Sequence, residues 1–249
     1  MENISNTHGG KAESYDIGRP EYPEAFFDFL YNEVGFNPNN VIADIGCGTG
    51  KVTKHFLERG NKVIAIEPDS DMRRIADKKL SKYPKYSSFQ KTAEDTGIES
   101  NSIDRIFCGN SYYWFERGKV VPEFKRISRK NGSVVMSWVG SDIFIKYNSE
   151  FSEIYRKYSK PVFNKRYESP AFLPETFIEK AFSYTVCQTI EEFLHGVLSE
   201  SGLPVFGDDT YEPCCNEIKE LFYKYSNNEK LETTFRLRCM VGNVENLGL

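Results

Sequence analysis

The segment Val41–Lys51, VIADIGCGTGK, constrains this chain more than any other stretch. An apolar run fit for a buried strand ends in an acid, Asp44, and glycines follow at every second position: Gly46, Gly48 and Gly50. Glycine has no Cβ and takes positive φ freely, so such a loop lets backbone come close to a ligand. Gly50 opens a helical pattern, KVTKHFLER, which Gly60 closes. The open question is the ligand: a dinucleotide, a triphosphate, or something without phosphate.

Both phosphate readings fail on single residues. A dinucleotide loop, G-x-G-x-x-G, needs its third glycine for close helix–strand packing, and Lys51 stands there. A P-loop, G-x-x-x-x-G-K-[ST], needs a hydroxyl for magnesium after the lysine, and Val52 stands there. Asp44 would repel a pyrophosphate and suits a ligand with an ammonium group. What remains is D-x-G-x-G-x-G. Its plain alternative is a tight strand-to-helix turn with no ligand.

The rest of the first half alternates strand and helix patterns, which predicts a parallel sheet covered by helices on both faces. PEAFFDFLYNEV (23–34) has helical spacing, with Pro23 suited to a first turn. Strands follow at NVIADI, KVIAIEP, YSSFQKT, SIDRIFCGN and GSVVMSWV. Between them lie helices at KVTKHFLER, at SDMRRIADKKLSKY with Asp69 or Ser70 as cap, and at KVVPEFKRISRK with Pro122 near its first turns. After Gly140 the rhythm changes. Helical patches FSEIYRKYSK and TIEEFLHGVL, a loop at SGLPVFGDD, and strands FSYTVCQ, at the sheet edge, and TTFRLRCMVG are expected there.

Bulk properties exclude several classes. A net charge of -4 gives no basic footprint for nucleic acid. No stretch approaches the roughly 18 apolar residues of a membrane span. The polar N-terminus lacks the apolar core of a secretion signal, so the chain is expected in the cytoplasm. Its 6 cysteines form no CxxC pair, and its 3 histidines lie far apart in sequence, so no metal is expected. The vicinal pair Cys214-Cys215 reads as two reduced thiols near a turn.

The D-x-G-x-G-x-G loop resembles motif I of the class I S-adenosylmethionine-dependent methyltransferases. The resemblance implies a Rossmann-like fold: a seven-stranded, mostly parallel sheet of order 3-2-1-4-5-7-6, helices on both faces, and an inserted lid or substrate region. It also implies cofactor-binding residues. Asp44, Gly46, Cys47, Gly48 and Gly50 would pass under the methionine part of S-adenosyl-L-methionine. Glu67, with Pro68 after it, would take the ribose hydroxyls at the end of the second strand. Met72 would pack near the adenine, and Ala93 and Glu94 in TAEDTGI would face its edge. Asn110 would sit at the end of the fourth strand, in GNSYYWF. There Trp114 and Phe115 match a family phrase, while Tyr113 stands where histidine is common. Upstream, YDIGRPEYP resembles the Y-x-x-x-R-P-x-Y-P element of a type 11-like, trans-aconitate methyltransferase-like subgroup. It implies that Tyr15, Arg19 and Tyr22 line the site from a lid, with Tyr112 and Trp114 also on the substrate side.

The chain is thus expected to be one methyltransferase domain over 1–249. Residues 1–35 form an N-terminal arm, 36–140 the cofactor-binding core, and 141–220 a substrate-side elaboration. The expected reaction is methyl transfer to a small-molecule acceptor, a carboxylate being the case that needs no base and that Arg19 can orient. For an amine, phenol or hydroxyl acceptor, Tyr113 and His195 are the guesses for a base. The partners expected are the acceptor alone, with no nucleic acid and no membrane, and the chain a monomer or homodimer. Two alternatives stay open: a non-catalytic cofactor-binding protein of the same fold, and a methyltransferase acting on RNA or protein.

Overall fold

A computed structural model describes residues 10–141, 148–160 and 176–248. Two helices come first, α1 (Ala12–Gly18) and α2 (Glu24–Asn32). The alternating half follows as β1 (Val41–Ile45), α3 (Lys51–Glu58), β2 (Lys62–Ile66), α4 (Ser70–Leu80), β3 (Tyr86–Phe89), β4 (Ile103–Gly109), α5 (Arg117–Ile127) and β5 (Ser128–Ser141). The remainder is α6 (Asn148–Tyr158), β6 (Phe177–Gln188), α7 (Ile190–Leu198), α8 (Tyr211–Tyr225) and β7 (Leu231–Asn243). One sheet of seven strands has the order β3-β2-β1-β4-β5-β7-β6, the order expected, with β6 at its edge. β1 pairs in parallel with β2 on one side and β4 on the other, with Asp44 opposite both Ala65 and Phe107. The carboxyl ends of β1, β2 and β4 therefore lie side by side, where an open α/β sheet receives its ligand.

The chain divides into two compact units. One comprises 22–138, 164–182 and 237–249. Its core gathers Ile45, Ile66, Ile106, Val120, Phe124 and Met136, all at most 1% exposed. β1 is an unbroken apolar run apart from Asp44, because both its faces are covered. The other unit comprises 1–21, 139–163 and 183–236, and its core packs Phe151, Phe193, Ile218 and Phe222 from α6, α7 and α8.

Local chemistry explains the element ends. Asp69 caps α4, its carboxylate accepting from the amides of Asp71 and Met72 at 2.9 and 3.0 Å. Thr189 and Glu192 form a reciprocal capping box at the start of α7. Pro23 stands one place before the helix rather than in its first turn, with extended backbone. The sequence patterns missed two helices. α1 lies in the segment read only as an arm. α8 bears Cys214 and Cys215, both buried on its inner face rather than near a turn.

Candidate functional site

The glycine loop has the geometry its spacing demands. Gly46, Gly48 and Gly50 have φ of 72°, 57° and 80°, a region that side chains rarely occupy. Gly50 is the N-cap of α3. A Cβ on Gly46 would lie 2.5 Å from the Cβ of Ser111, whose hydroxyl donates to the carbonyl of Ile45 at 2.7 Å. A Cβ on Gly50 would lie 2.6 Å from a methyl of Leu80. Thr49, within the loop and 1% exposed, has a buried hydroxyl with no hydrogen-bond partner.

Two carboxyl groups flank this loop. Glu67, just past β2, accepts from the amide of Gly48 at 2.8 Å on one oxygen and from that of Asp69 at 2.9 Å on the other. Burial pushes its pKa up to about 7, against the pull of those two amides. Asp44 is 1% exposed, and the Thr53 hydroxyl donates to it at 2.5 Å. Burial raises it too to about 7. Asp44 thus ties β1 to the first turns of α3. Cys47 lies between the glycines, and burial beside Asp44 and Glu67 holds its thiol well above the usual range, hence protonated.

Other predicted residues are placed as follows. Met72 is 2% exposed in α4, and Ala93 at 4% joins the core. Pro68 is half-buried, its carbonyl accepting from Gln90. Glu94 accepts from the amide of Glu116 at 2.8 Å, which ties its loop to the start of α5. Asn110, at the end of β4, has φ 54°, unusual for a side chain and a mark of local strain. Its amide donates to the carbonyl of Ser137 at 2.8 Å, and the Tyr22 hydroxyl lies 3.2 Å from the hydroxyl of Ser137. Tyr22, Asn110 and Ser137 therefore meet at the carboxyl end of β4, beside β5. The aromatic run 112–114 is a single 3-10 turn. Tyr112 is buried, with its phenol pushed up to about 12, and Tyr113 packs edge-on against it. Trp114 is half-buried beside Tyr113.

Tyr15, Arg19 and His195 belong to the other unit. Arg19 lies over the ring of Tyr15, pairs with Glu200 at 3.0 Å and donates to the Ser199 hydroxyl at 2.8 Å. His195 bonds to Ser14 of α1 at 3.0 Å. Ser111, Ser137, Thr49 and Thr53 were not read as site residues. Small hydroxyl residues carry no spacing signal of their own, and only Thr53, nine positions after Asp44 on the first turn of a marked helix, could have been found.

Among the described residues no group of His, Cys, Asp and Glu is arranged to hold a metal, and no helix is long and apolar enough to cross a membrane. Residues 43–136 match the methyltransferase domain family. An uncharacterised methyltransferase of Mycobacterium tuberculosis is 28% identical over 174 residues, covering 70% of this chain and 67% of that one. An uncharacterised methyltransferase-like protein of Schizosaccharomyces pombe is 23% identical over 239 residues, covering 89% of each. In three dimensions the chain is similar to a protein of Anaeromyxobacter dehalogenans assigned as a type II methyltransferase, with TM-score 0.67, 22% identity, and 91% of this chain and 98% of that one covered. The domain match at residues 43–136 and these relatives support methyltransferase activity, and the sheet order and the structural likeness give a Rossmann-like class I methyltransferase fold.

Proposed function

We propose that this methyltransferase moves the methyl group of S-adenosyl-L-methionine to a small-molecule acceptor. One observation carries the cofactor: the loop of three positive-φ glycines beside a buried carboxylate, Glu67, that already bonds the Gly48 amide. The unpartnered hydroxyl of Thr49 and the spare lone pairs of Glu67 suit a ligand rich in hydroxyl and amino groups. Asp44, Gly46, Cys47, Gly48 and Gly50 would hold its amino-acid part. Glu67 and Pro68 would hold its ribose, with Met72, Ala93, Glu94 and Asn110 around its base and the strand ends.

The cofactor supplies a methyl on a positively charged sulfur; transfer breaks the carbon–sulfur bond and joins that carbon to a lone pair of the acceptor. This chain then needs no nucleophile of its own, which agrees with the protonated thiol of Cys47 and the packed phenols of Tyr112 and Tyr113. Its work is to align the reactants and exclude water. Two acids near the loop favour a positively charged ligand over a phosphate.

The finer reading, a carboxylate acceptor steered by Arg19, has support from residue type, but Glu200 already neutralises that guanidinium. Likeness to the trans-aconitate methyltransferase-like subgroup rests on the Tyr15–Pro23 element. Cytoplasmic residence, and a monomer or homodimer without nucleic-acid or membrane partners, complete the proposal.

Calorimetry with S-adenosylhomocysteine should give a micromolar-scale Kd, and the absence of binding at millimolar ligand would end the cofactor reading. A labelled methyl incubated with cell extract should enter the small-molecule fraction. Label confined to RNA or protein would refute the acceptor class.

A further inference from the structure

The unit that carries the glycine loop has an arginine to which the methyl-transfer reading gives no part. Side chains alternate along β7, so Leu237 and Cys239, both 0% exposed, turn to one face of the sheet, and Arg238 and Met240 turn to the other. Met240 joins the core beside Met136 of the neighbouring strand β5, and Trp138, further along β5, packs against the same core. Arg238 lies over the Trp138 ring, its guanidinium carbon 6.0 Å from the ring centroid. Trp138 meets Tyr112 edge-on at 6.2 Å, and Tyr112 meets Tyr113 at 5.4 Å. Tyr112 directly follows Ser111, whose side chain packs against Gly46. The cluster therefore grows from the carboxyl end of β4, the end at which such a sheet receives its ligand.

Charge and exposure define what this cluster can hold. Arg238 is half-buried and, among the described residues, has no ion pair and no hydrogen bond. An indole face at that distance attracts a cation weakly and supplies no counter-charge. Arg19, by contrast, has Glu200 at 3.0 Å. Trp138 and Tyr113 are half-buried too, so all three residues keep surface that a ligand can touch. A guanidinium offers two parallel N–H donors to a carboxylate, and indole and phenol rings offer faces to a planar ring. One ligand chemistry uses both at once: a carboxylate carried on a flat, apolar ring.

We propose that Arg238 and Trp138 hold an aromatic carboxylate, its carboxylate on the guanidinium and its ring against Trp138 and Tyr113. That this molecule is the methyl acceptor rests on the methyl-transfer reading. The carboxylate expected at Arg19 is thereby assigned to an arginine without a counter-ion.

Two probes with one ring system separate charge from ring: naphthoate and naphthamide, each titrated against the full chain by equilibrium dialysis. Naphthoate should bind about tenfold or more tightly than naphthamide, which keeps the ring and lacks the charge. Arg238→Met, which keeps the apolar stem, should remove that advantage and leave naphthamide affinity unchanged. Arg238→Lys, which keeps the charge without the fork, should restore part of it. Trp138→Leu should weaken both probes. Arg236→Met removes an exposed arginine of the same strand and should change neither affinity. An unchanged urea midpoint in Arg238→Met shows its fold intact.

Naphthamide binding the unaltered chain as tightly as naphthoate would overturn the proposal. So would equal losses of naphthoate affinity in Arg236→Met and Arg238→Met, the mark of diffuse surface charge, or no naphthoate bound at millimolar concentration. If S-adenosylhomocysteine fails to bind the unaltered chain while naphthoate binding depends on Arg238 as described, the methyl-transfer reading falls and the carboxylate site stands.

Discussion

Buried beside the glycine loop, the Glu67 carboxyl has a pKa near 7 in the folded chain against 4.5 for the exposed group. Between those values the folded state holds a proton that the unfolded state has lost, so stability rises as pH falls. The full gain is present below 4.5 and is lost as pH rises through about 7. It amounts to about 3 kcal/mol at a little over 1 kcal/mol per pKa unit. Urea denaturation of the ligand-free chain and of Glu67→Gln between about pH 8 and about pH 5 should diverge by most of that amount, with the unaltered chain gaining at low pH. A pH-independent difference would contradict the burial argument. S-adenosylhomocysteine affinity should move the other way and weaken below about pH 7, because the ionised carboxylate is the better acceptor for ribose hydroxyls. Gly46 makes a second residue-scale test. Gly46→Ala places a Cβ at positive φ, costing about 1–2 kcal/mol, and drives it to 2.5 Å from Ser111. Gly60→Ala, at φ 88° with its nearest neighbour 3.6 Å away, carries the first cost without the second. Gly46→Ala should therefore be the more destabilising, and equal losses would show that Ser111 gives way freely.

At the scale of elements, α1 and α7 cross at two glycines. A Cβ on Gly18 would lie 1.9 Å from the backbone nitrogen of Gly196, which no side-chain rotation can relieve. Around that crossing, Lys11 donates to the carbonyls of Glu200 and Leu203 at 2.5 and 2.8 Å, and Ser14 meets His195. Burial lowers the Lys11 pKa to about 8. These bonds give the residues before Gly18 a docked position on α7. Gly18→Ala should force α1 off α7 and speed tryptic cleavage after Lys11 by about tenfold or more, the docked helix being cut only after local opening. Gly118→Ala, with open space around it in α5, should leave that rate unchanged. An unchanged rate in Gly18→Ala would mean the crossing adjusts without separating.

At the scale of the molecule, the small acidic surplus argues against a polyanionic partner. RNA binding should be weak at low salt, and any affinity should lack the steep decline with salt that phosphate contacts produce. Filter binding of labelled RNA between about 50 and about 200 mM salt checks this. A steep salt slope would reveal a local basic surface that the net charge conceals.

The alternating strand and helix patterns, the cap at Asp69, and the glycine loop were legible in the sequence because each is fixed by neighbours a few residues apart. The sheet order and the placement of Glu67 beside the Gly46–Gly50 loop came from the family resemblance that the loop carries, and the structure has that order. The helix Tyr211–Tyr225 was missed because the cysteines on its inner face read as a turn until packing buried them. The partners of charged groups were decided only by the tertiary structure. Asp44 faces Thr53, Glu67 faces Gly48, and Arg19 faces Glu200 across 181 positions of chain, so a guanidinium read as a hook for substrate is already neutralised. Local patterns set which elements form because backbone hydrogen bonds and helix caps are short-range. Charge and burial at a site depend on residues remote in sequence, and only the folded chain brings those together.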